Sequence, residues 1–214
     1  MGKLFNFNTD FGKYPQGYGF DGNFRIKTKK GGFIKYYGSV DQNQLSVESE
    51  SLEKDFDRNN VSLKGQNMYH NLSYKEKFGK YLVNIGGSYT YNSNDLNFAN
   101  LLNQVEINQT KINSQSNYIN GKLVVERKFG INTLRAGVEF NNADEKMNYG
   151  FYEKNYKDLI SSAFAETDLI FTNDLSAKIG ARTEHSSYLD KWNFSPRVAL
   201  AYRISKEWTT SLAY

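Results

Sequence analysis

His70 and His185 are the only imidazoles in this chain, so nitrogen-based acid–base or metal chemistry would have to centre on one of them. Neither stands at ligand spacing from the other, and no cysteine is present to complete a metal set. His185 adjoins Ser186 and Ser187, but no nucleophile elbow or similar local signature accompanies it. Glu166 and Asp168 have the spacing of an acid–base pair on one strand face. The same spacing serves ion pairing with Arg182, Arg197 or another base, and that is the expected role. Gly17-Tyr18-Gly19-Phe20-Asp21-Gly22 matches a dinucleotide fingerprint by letter. No strand is expected before it, and Phe24-Arg25-Ile26-Lys27-Thr28 after it reads as a strand where a helix is required, so a flexible loop is expected. Asp55-Phe56-Asp57-Arg58-Asn59 opens like a calcium loop, yet Asn60 replaces the needed glycine and Gln66 the closing glutamate. No catalytic residue, metal site or cofactor is therefore expected. Asn60, Asn71, Asn108 and Asn193 begin glycosylation sequons, as an asparagine-rich composition produces by chance. The residues best suited to hold a ligand are Tyr149, Phe151, Tyr152 and Tyr156, clustered in one polar segment where rings could stack on a bound molecule.

What must position these residues is a sheet. Apolar residues recur at every second position: Tyr81, Val83, Ile85, Gly87, Tyr89 and Tyr91; Leu134, Ala136, Val138 and Phe140; Leu175, Ala177, Ile179 and Ala181; Phe194, Pro196, Val198, Leu200, Tyr202 and Ile204. Ile119, Gly121, Leu123 and Val125 follow less cleanly, and 33–40 and 61–74 also read as strands. The intervening positions carry charges of both signs, among them Lys122, Glu126, Arg135, Glu139, Glu166, Asp168, Lys178, Arg182, Glu184, Arg197 and Arg203. Short connections are expected near 29–32, 75–79, 127–130, 172–174 and 205–206. Long polar loops are expected over 41–58, 92–114, 142–157 and 185–193, and residues 1–19 are expected to be loop. The whole predicts an all-β antiparallel meander of about ten strands, one unit over 1–214.

Short turns alternating with long loops, and one apolar face per strand, are the pattern of a transmembrane β-barrel or part of one. Its outer face meets lipid and its inner face meets water. Phe78, Tyr81, Phe129, Phe171, Tyr202 and Trp208 stand at strand ends, where interfacial girdles form. Aromatics make up 15% of the residues, an unusual share for so polar a chain, and two-faced strands supply both properties at once. The net charge of +4 is spread without a basic run, so no nucleic-acid partner is expected. No stretch approaches the length of a membrane helix, and no apolar segment follows Met1-Gly2-Lys3-Leu4-Phe5 as a secretory signal would require.

The last third resembles a known family. Ala163-Phe164-Ala165-Glu166-Thr167-Asp168, Lys178-Ile179-Gly180-Ala181-Arg182-Thr183-Glu184 and Asn193-Phe194-Ser195-Pro196-Arg197-Val198-Ala199-Leu200-Ala201-Tyr202 are similar, in this order, to successive barrel strands of TonB-dependent receptors. Ser211-Leu212-Ala213-Tyr214 looks like the start of the strand that follows them. The composition and loop style resemble receptors of Bacteroidetes-type bacteria. The resemblance covers about 160–214 well, and the earlier strands match in style. It implies a location in the cell outer membrane and a parent barrel of about 22 strands filled by a plug. It implies uptake of a nutrient such as an iron chelate, cobalamin or a glycan. The implied partners are outer-membrane lipid, the remaining strands and plug, a small nutrient ligand, and TonB through the plug. Signal peptide, plug and TonB-contacting segment are not in this sequence, so a receptor segment is expected, with Met1 not the natural start.

Three other readings predict different things. A complete ten-strand barrel acting as a pore or structural protein needs Tyr214 as a natural terminal aromatic. An outer-membrane hydrolase needs a nucleophile beside His185. A soluble β-rich binding module needs its apolar faces buried against another layer.

Overall fold

A computed structural model describes residues 9–52 and 56–214. Ten strands form one sheet: β1 (Thr9–Lys27), β2 (Phe33–Glu50), β3 (Arg58–Phe78), β4 (Tyr81–Leu102), β5 (Val105–Phe129), β6 (Asn132–Tyr149), β7 (Tyr152–Ile170), β8 (Leu175–Ser186), β9 (Lys191–Arg203) and β10 (Thr209–Ala213). Every pairing is antiparallel between sequence neighbours, and the sheet stays open, in the order β1 to β10. There is no helix among the described residues. The expected all-β meander is thus the observed fold.

Two expectations about loops are corrected. The predicted loop over 1–19 is strand from Thr9 onward, so the glycine-rich motif lies inside β1, with Gly17 opposite Asn43 and Gly22 opposite Gly38. Residues 1–8 lie outside the described residues. The predicted long loops are mostly hairpin. The 92–114 segment turns at Asn103–Gln104, the 142–157 segment at Gly150–Phe151, and 185–193 at 187–190. Of 41–58, residues 41–50 belong to β2 and Arg58 opens β3. Backbone pairing in these extensions needs no apolar residue. Asn, Ser, Gln and Asp bond across the strands instead, as from Asn92 Nδ2 to Ser116 Oγ at 3.4 Å and from Asn113 Nδ2 to Asp95 Oδ1 at 2.7 Å.

The turns follow backbone sterics. Gly79, Gly130 and Gly150 each open a two-residue turn with φ of 60°, 61° and 57°, the type II′ pattern that glycine favours at its first central position. The Asn103–Gln104 turn has both residues at positive φ, 54° and 65°, which is the type I′ pattern, where Asn-Gly is preferred. Gln104→Gly is therefore expected to stabilise the β4–β5 hairpin, by about 0.5–1 kcal/mol. Slower amide exchange at Leu102 and Val105 would show it, and unchanged or faster exchange would refute it.

The register fixes two faces. Ile85 sits between Tyr74 and Leu123, Leu123 faces Val138, Val138 faces Ala163, and Ile179 faces Val198. This apolar face is bare: Ile85, Val138, Val198 and Leu200 are 47%, 51%, 41% and 43% exposed. The buried hydrophobic residues are Ala99, Leu101 and Ala177 alone among the described residues. A single layer with no packed core cannot be a water-soluble sandwich, which buries one face of each sheet. On β4 the apolar run from Tyr81 to Tyr91 rises ten residues, about 25 Å at a barrel-like tilt, which is the height of a lipid-facing band. On the apolar face Tyr36 lies over Gly38 and Phe140 over Gly121, each ring occupying the space a side chain would need.

Candidate functional site

The opposite face carries the charges. Its hub is Arg135 on β6, placed by register between Glu126 on β5 and Glu166 on β7. Arg135 Nε donates to Glu126 Oε2 at 2.8 Å, and Nη1 donates to Asp168 Oδ2 at 2.8 Å and Glu166 Oε1 at 3.2 Å. Lys178 Nζ adds contacts to Asp168 at 3.5 Å and Glu166 at 3.8 Å. A second cluster lies two dyads further along the strands. Arg182 Nη1 donates to Glu139 Oε2 at 2.6 Å, its Nε donates to Glu184 at 3.2 Å, and Lys122 also pairs with Glu139. Phe164 packs over Gly137 between the two clusters, and Lys122 Nζ stands 5.5 Å from its ring centre. A recess of about 380 Å³ opens here, with Arg197 on its wall.

Glu166 and Asp168 are thus held in ion pairs as expected, and of the candidate bases it is Arg135 and Lys178 that hold them, not Arg182 or Arg197. Each carboxylate serves as an ion-pair partner to bases on the neighbouring strands. The histidines are also engaged. Tyr36 Oη and His70 Nδ1 are 2.7 Å apart on the apolar face. His185 Nε2 meets Asp190 at 3.4 Å, and its ring lies 4.9 Å from that of Trp192. Ser186 and Ser187 direct their hydroxyls to Asp158, so no Ser–His pair forms here. The glycine-rich motif, now in a strand, lacks the helix N-terminus a pyrophosphate needs. In the calcium-like segment Asp55 lies outside the described residues, while Asp57 Oδ2 accepts the Asn103 N–H at 2.7 Å.

Beyond the lipid band, the β6–β7 hairpin carries three of the predicted tyrosines on the charged face. Tyr149 pairs with Tyr152 at the hairpin end, Glu145 pairs with Tyr156, and Phe151 projects fully exposed at the tip. Tyr156 packs edge-on against Tyr188 of the β8–β9 turn, with ring centres 5.0 Å apart, and donates to Asp158 at 3.3 Å. Tyr118 Oη donates to Glu145 at 2.6 Å nearby. The structure therefore brings Tyr156 into a group with Tyr188, Tyr118 and Glu145, and leaves Tyr149, Phe151 and Tyr152 open at the tip. Tyr188, Tyr118 and Glu145 went unpredicted because they fall in or beside segments whose polarity hides the strand period. Burial pushes the Tyr156 phenol up, and the Asp158 charge adds to the effect.

Asp158, buried in the structure, fastens the β8–β9 turn to β7. It accepts the Tyr188 N–H at 3.0 Å and the Ser186 hydroxyl at 2.9 Å. The Tyr188 N–H, followed by the two serine hydroxyls, holds its carboxyl below the usual carboxylate range. A carboxyl with a depressed folded pKa stabilises the folded turn above its unfolded value of about 3.9, and loses that stabilisation as pH falls through the lower folded value. The turn is expected to loosen only below about pH 4. In Asp158→Asn it should be looser at neutral pH and indifferent to acid. Amide exchange at Tyr188 and Leu189, corrected for intrinsic rate, reads this directly. An acid response that survives in Asp158→Asn would assign the effect elsewhere.

The sequence matches the family described as "TonB dependent receptor-like, beta-barrel" over residues 2–214. No curated protein matches it. Among solved structures, the chain is similar to the siderophore receptor PirA from Acinetobacter baumannii, with 11% identity and a TM-score of 0.53. The match covers 90% of this chain and 39% of that one, so this chain spans well under half of that receptor's length. The copper transporter OprC is similar over 94% of this chain and 43% of its own, with 9% identity and a TM-score of 0.45. With its meander of strands, one bare apolar face and one face of paired charges, this chain belongs to the TonB dependent receptor-like β-barrel family.

Proposed function

We propose that this chain forms part of the wall of an outer-membrane receptor that takes up a nutrient, such as an iron chelate, cobalamin or a glycan, using energy delivered by TonB. The observation that carries this reading is the uncovered apolar face, about as tall as a membrane's hydrocarbon layer, backed by a charged face whose ion pairs suit a wet lumen. Family membership and the fold shared with a siderophore receptor support it. In this reading TonB acts through a plug encoded elsewhere in the parent protein. The hairpin rim of Tyr149, Phe151, Tyr152 and Tyr156 meets ligand from outside, with Tyr188 backing Tyr156.

The test is fractionation and uptake with the complete parent protein. It is expected in the outer-membrane fraction, extracted only by detergent and migrating faster on gels when unheated. Uptake of one ligand from a panel of ferric chelates, cobalamins and oligosaccharides should vanish when TonB is deleted. Recovery of the parent protein in the soluble fraction, or uptake indifferent to TonB, would overturn the reading.

A further inference from the structure

At the short-turn edge of the sheet the bare apolar face ends in a row where cations alternate with rings. Phe78 and Tyr81 stand opposite each other across the 79–80 turn, and Arg127 on β5 stands opposite Tyr81. Lys30 Nζ lies 5.3 Å from the centre of the Phe78 ring. The Arg127 guanidinium carbon lies 5.2 Å from the Tyr81 ring centre and 4.4 Å from that of Phe129, two residues along the strand. Arg127 Nη1 donates to Tyr81 Oη at 3.0 Å. Strand parity puts Arg127 on the side of Leu123 and Val125, away from the paired charges of Lys122, Arg135, Lys178 and Arg182. Neither Lys30 nor Arg127 has an ion-pair partner among the described residues. Glu76 shares this face, but it is 2% exposed, lies under the 28–32 turn and accepts a hydrogen bond from the Thr28 hydroxyl.

We propose that this row holds the phosphate of an anionic phospholipid in the periplasmic leaflet, with the acyl chains of that lipid lying along the apolar band. Short turns mark the periplasmic side of a barrel wall. Tyr81 closes the lipid-facing run that reaches to Tyr91, so the row stands at headgroup depth. The site is continuous with the lipid-facing surface, and that continuity fixes the class of its occupant. The two rings keep the guanidinium in place beside the wall. Tyr81 takes the Nη1 donor, while Nη2 meets no acceptor among the described residues and is left to donate to a phosphate oxygen. Two cations without an exposed acid beside them favour a headgroup of net negative charge over one that carries its own ammonium. The proposal rests on the receptor reading, because headgroups reach this row only if the apolar face meets lipid.

The test is native mass spectrometry of the complete receptor released from micelles that hold phosphatidylglycerol and phosphatidylcholine in equal amounts. It compares wild type, Arg127→Gln, Arg127→Lys and Arg127→Gln/Lys30→Gln. The control is Lys64→Gln, on the same face but beyond the far end of the band. Wild type is expected to retain phosphatidylglycerol over phosphatidylcholine roughly tenfold, as two cations beside one charged headgroup imply. The double variant should show no preference, and Arg127→Gln should lose most of it. Arg127→Lys should fall between, since an ammonium keeps the charge without the planar fork. Lys64→Gln should match wild type. Heat-modifiable migration of every variant shows that the barrel is intact, and its absence in wild type would sink the receptor reading instead. An intact double variant that prefers phosphatidylglycerol as strongly as wild type overturns the proposal. Equal loss in Lys64→Gln does the same, because the preference would then follow net charge alone. So does release of the bound lipid by inorganic phosphate, which would mark a site for the free anion.

Discussion

Leu123→Arg is expected to destabilise the membrane-inserted protein by about 2–4 kcal/mol, and Val124→Arg, one residue along the same strand, by less than about 1 kcal/mol. Leu123 stands between Ile85 and Val138 in the middle of the bare apolar band. A guanidinium there must enter hydrocarbon or drag water and headgroups toward it. Val124 stands between Asn84 and Gly137 on the other face and lines the recess that also holds Glu126 and Glu166. A guanidinium there finds water and carboxylates. The measurement is urea unfolding of the complete receptor in phospholipid vesicles, followed by the fluorescence of its tryptophans, which in this chain are Trp192 and Trp208. Equal costs at the two positions would mean that both faces see the same medium, and the membrane orientation argued for this sheet would fall.

That contrast was legible in the sequence because the membrane forces a period of two only where one face must be oily. Between Leu134 and Phe140, or Leu175 and Ala181, the alternation of apolar with charged residues reports a physical constraint on every position. Past the apolar band both faces of the sheet are wet, and the constraint lapses. The 92–100 run, Asn-Ser-Asn-Asp-Leu-Asn-Phe-Ala-Asn, has the composition of a loop and yet is continuous strand in β4. What holds it is the backbone ladder with β3 and β5, from Asn92 opposite Asn67 to Asn100 opposite Asn108. Composition does not record that pairing. The same blindness placed residues 1–19 in a loop, although β1 is zipped to β2 over that stretch from Thr9 onward.

The site was legible to the same extent. Parity put Arg135, Glu126, Glu166 and Asp168 on one face, but only register shows which base meets which acid. A slip of two residues would have kept every parity and handed Glu166 to a different partner. The rim tyrosines could be named as aromatics in a polar segment. The partnership of Tyr156 with Tyr188 depends on a hairpin 28 residues further on folding back to Asp158, an event no local pattern announces.

Arg135 is the position where the lumenal network should prove most sensitive. Its guanidinium answers three carboxylates at once, and its side chain is only 30% exposed. Arg135→Met keeps the apolar stem of the side chain and removes the charged head, leaving Glu126, Glu166 and Asp168 facing one another with Lys178 as their remaining base. Breaking a fully buried pair costs about 3–5 kcal/mol, because the abandoned charge stays desolvated. A wet lumen screens part of that, so the expected loss is about 2–3 kcal/mol in vesicle unfolding. The cause is the stranded charge, so removing the charge should restore stability without restoring any bond. Arg135→Met combined with Glu126→Gln and Glu166→Gln is expected to recover most of the deficit, while the two glutamine changes alone cost little. Arg135→Lys should recover only part, since a single ammonium cannot reproduce the forked geometry that reaches Glu126 through Nε and the β7 carboxylates through Nη1. If the triple variant is as unstable as Arg135→Met, the loss belongs to packing of the missing guanidinium group, and the electrostatic account of this wall is wrong.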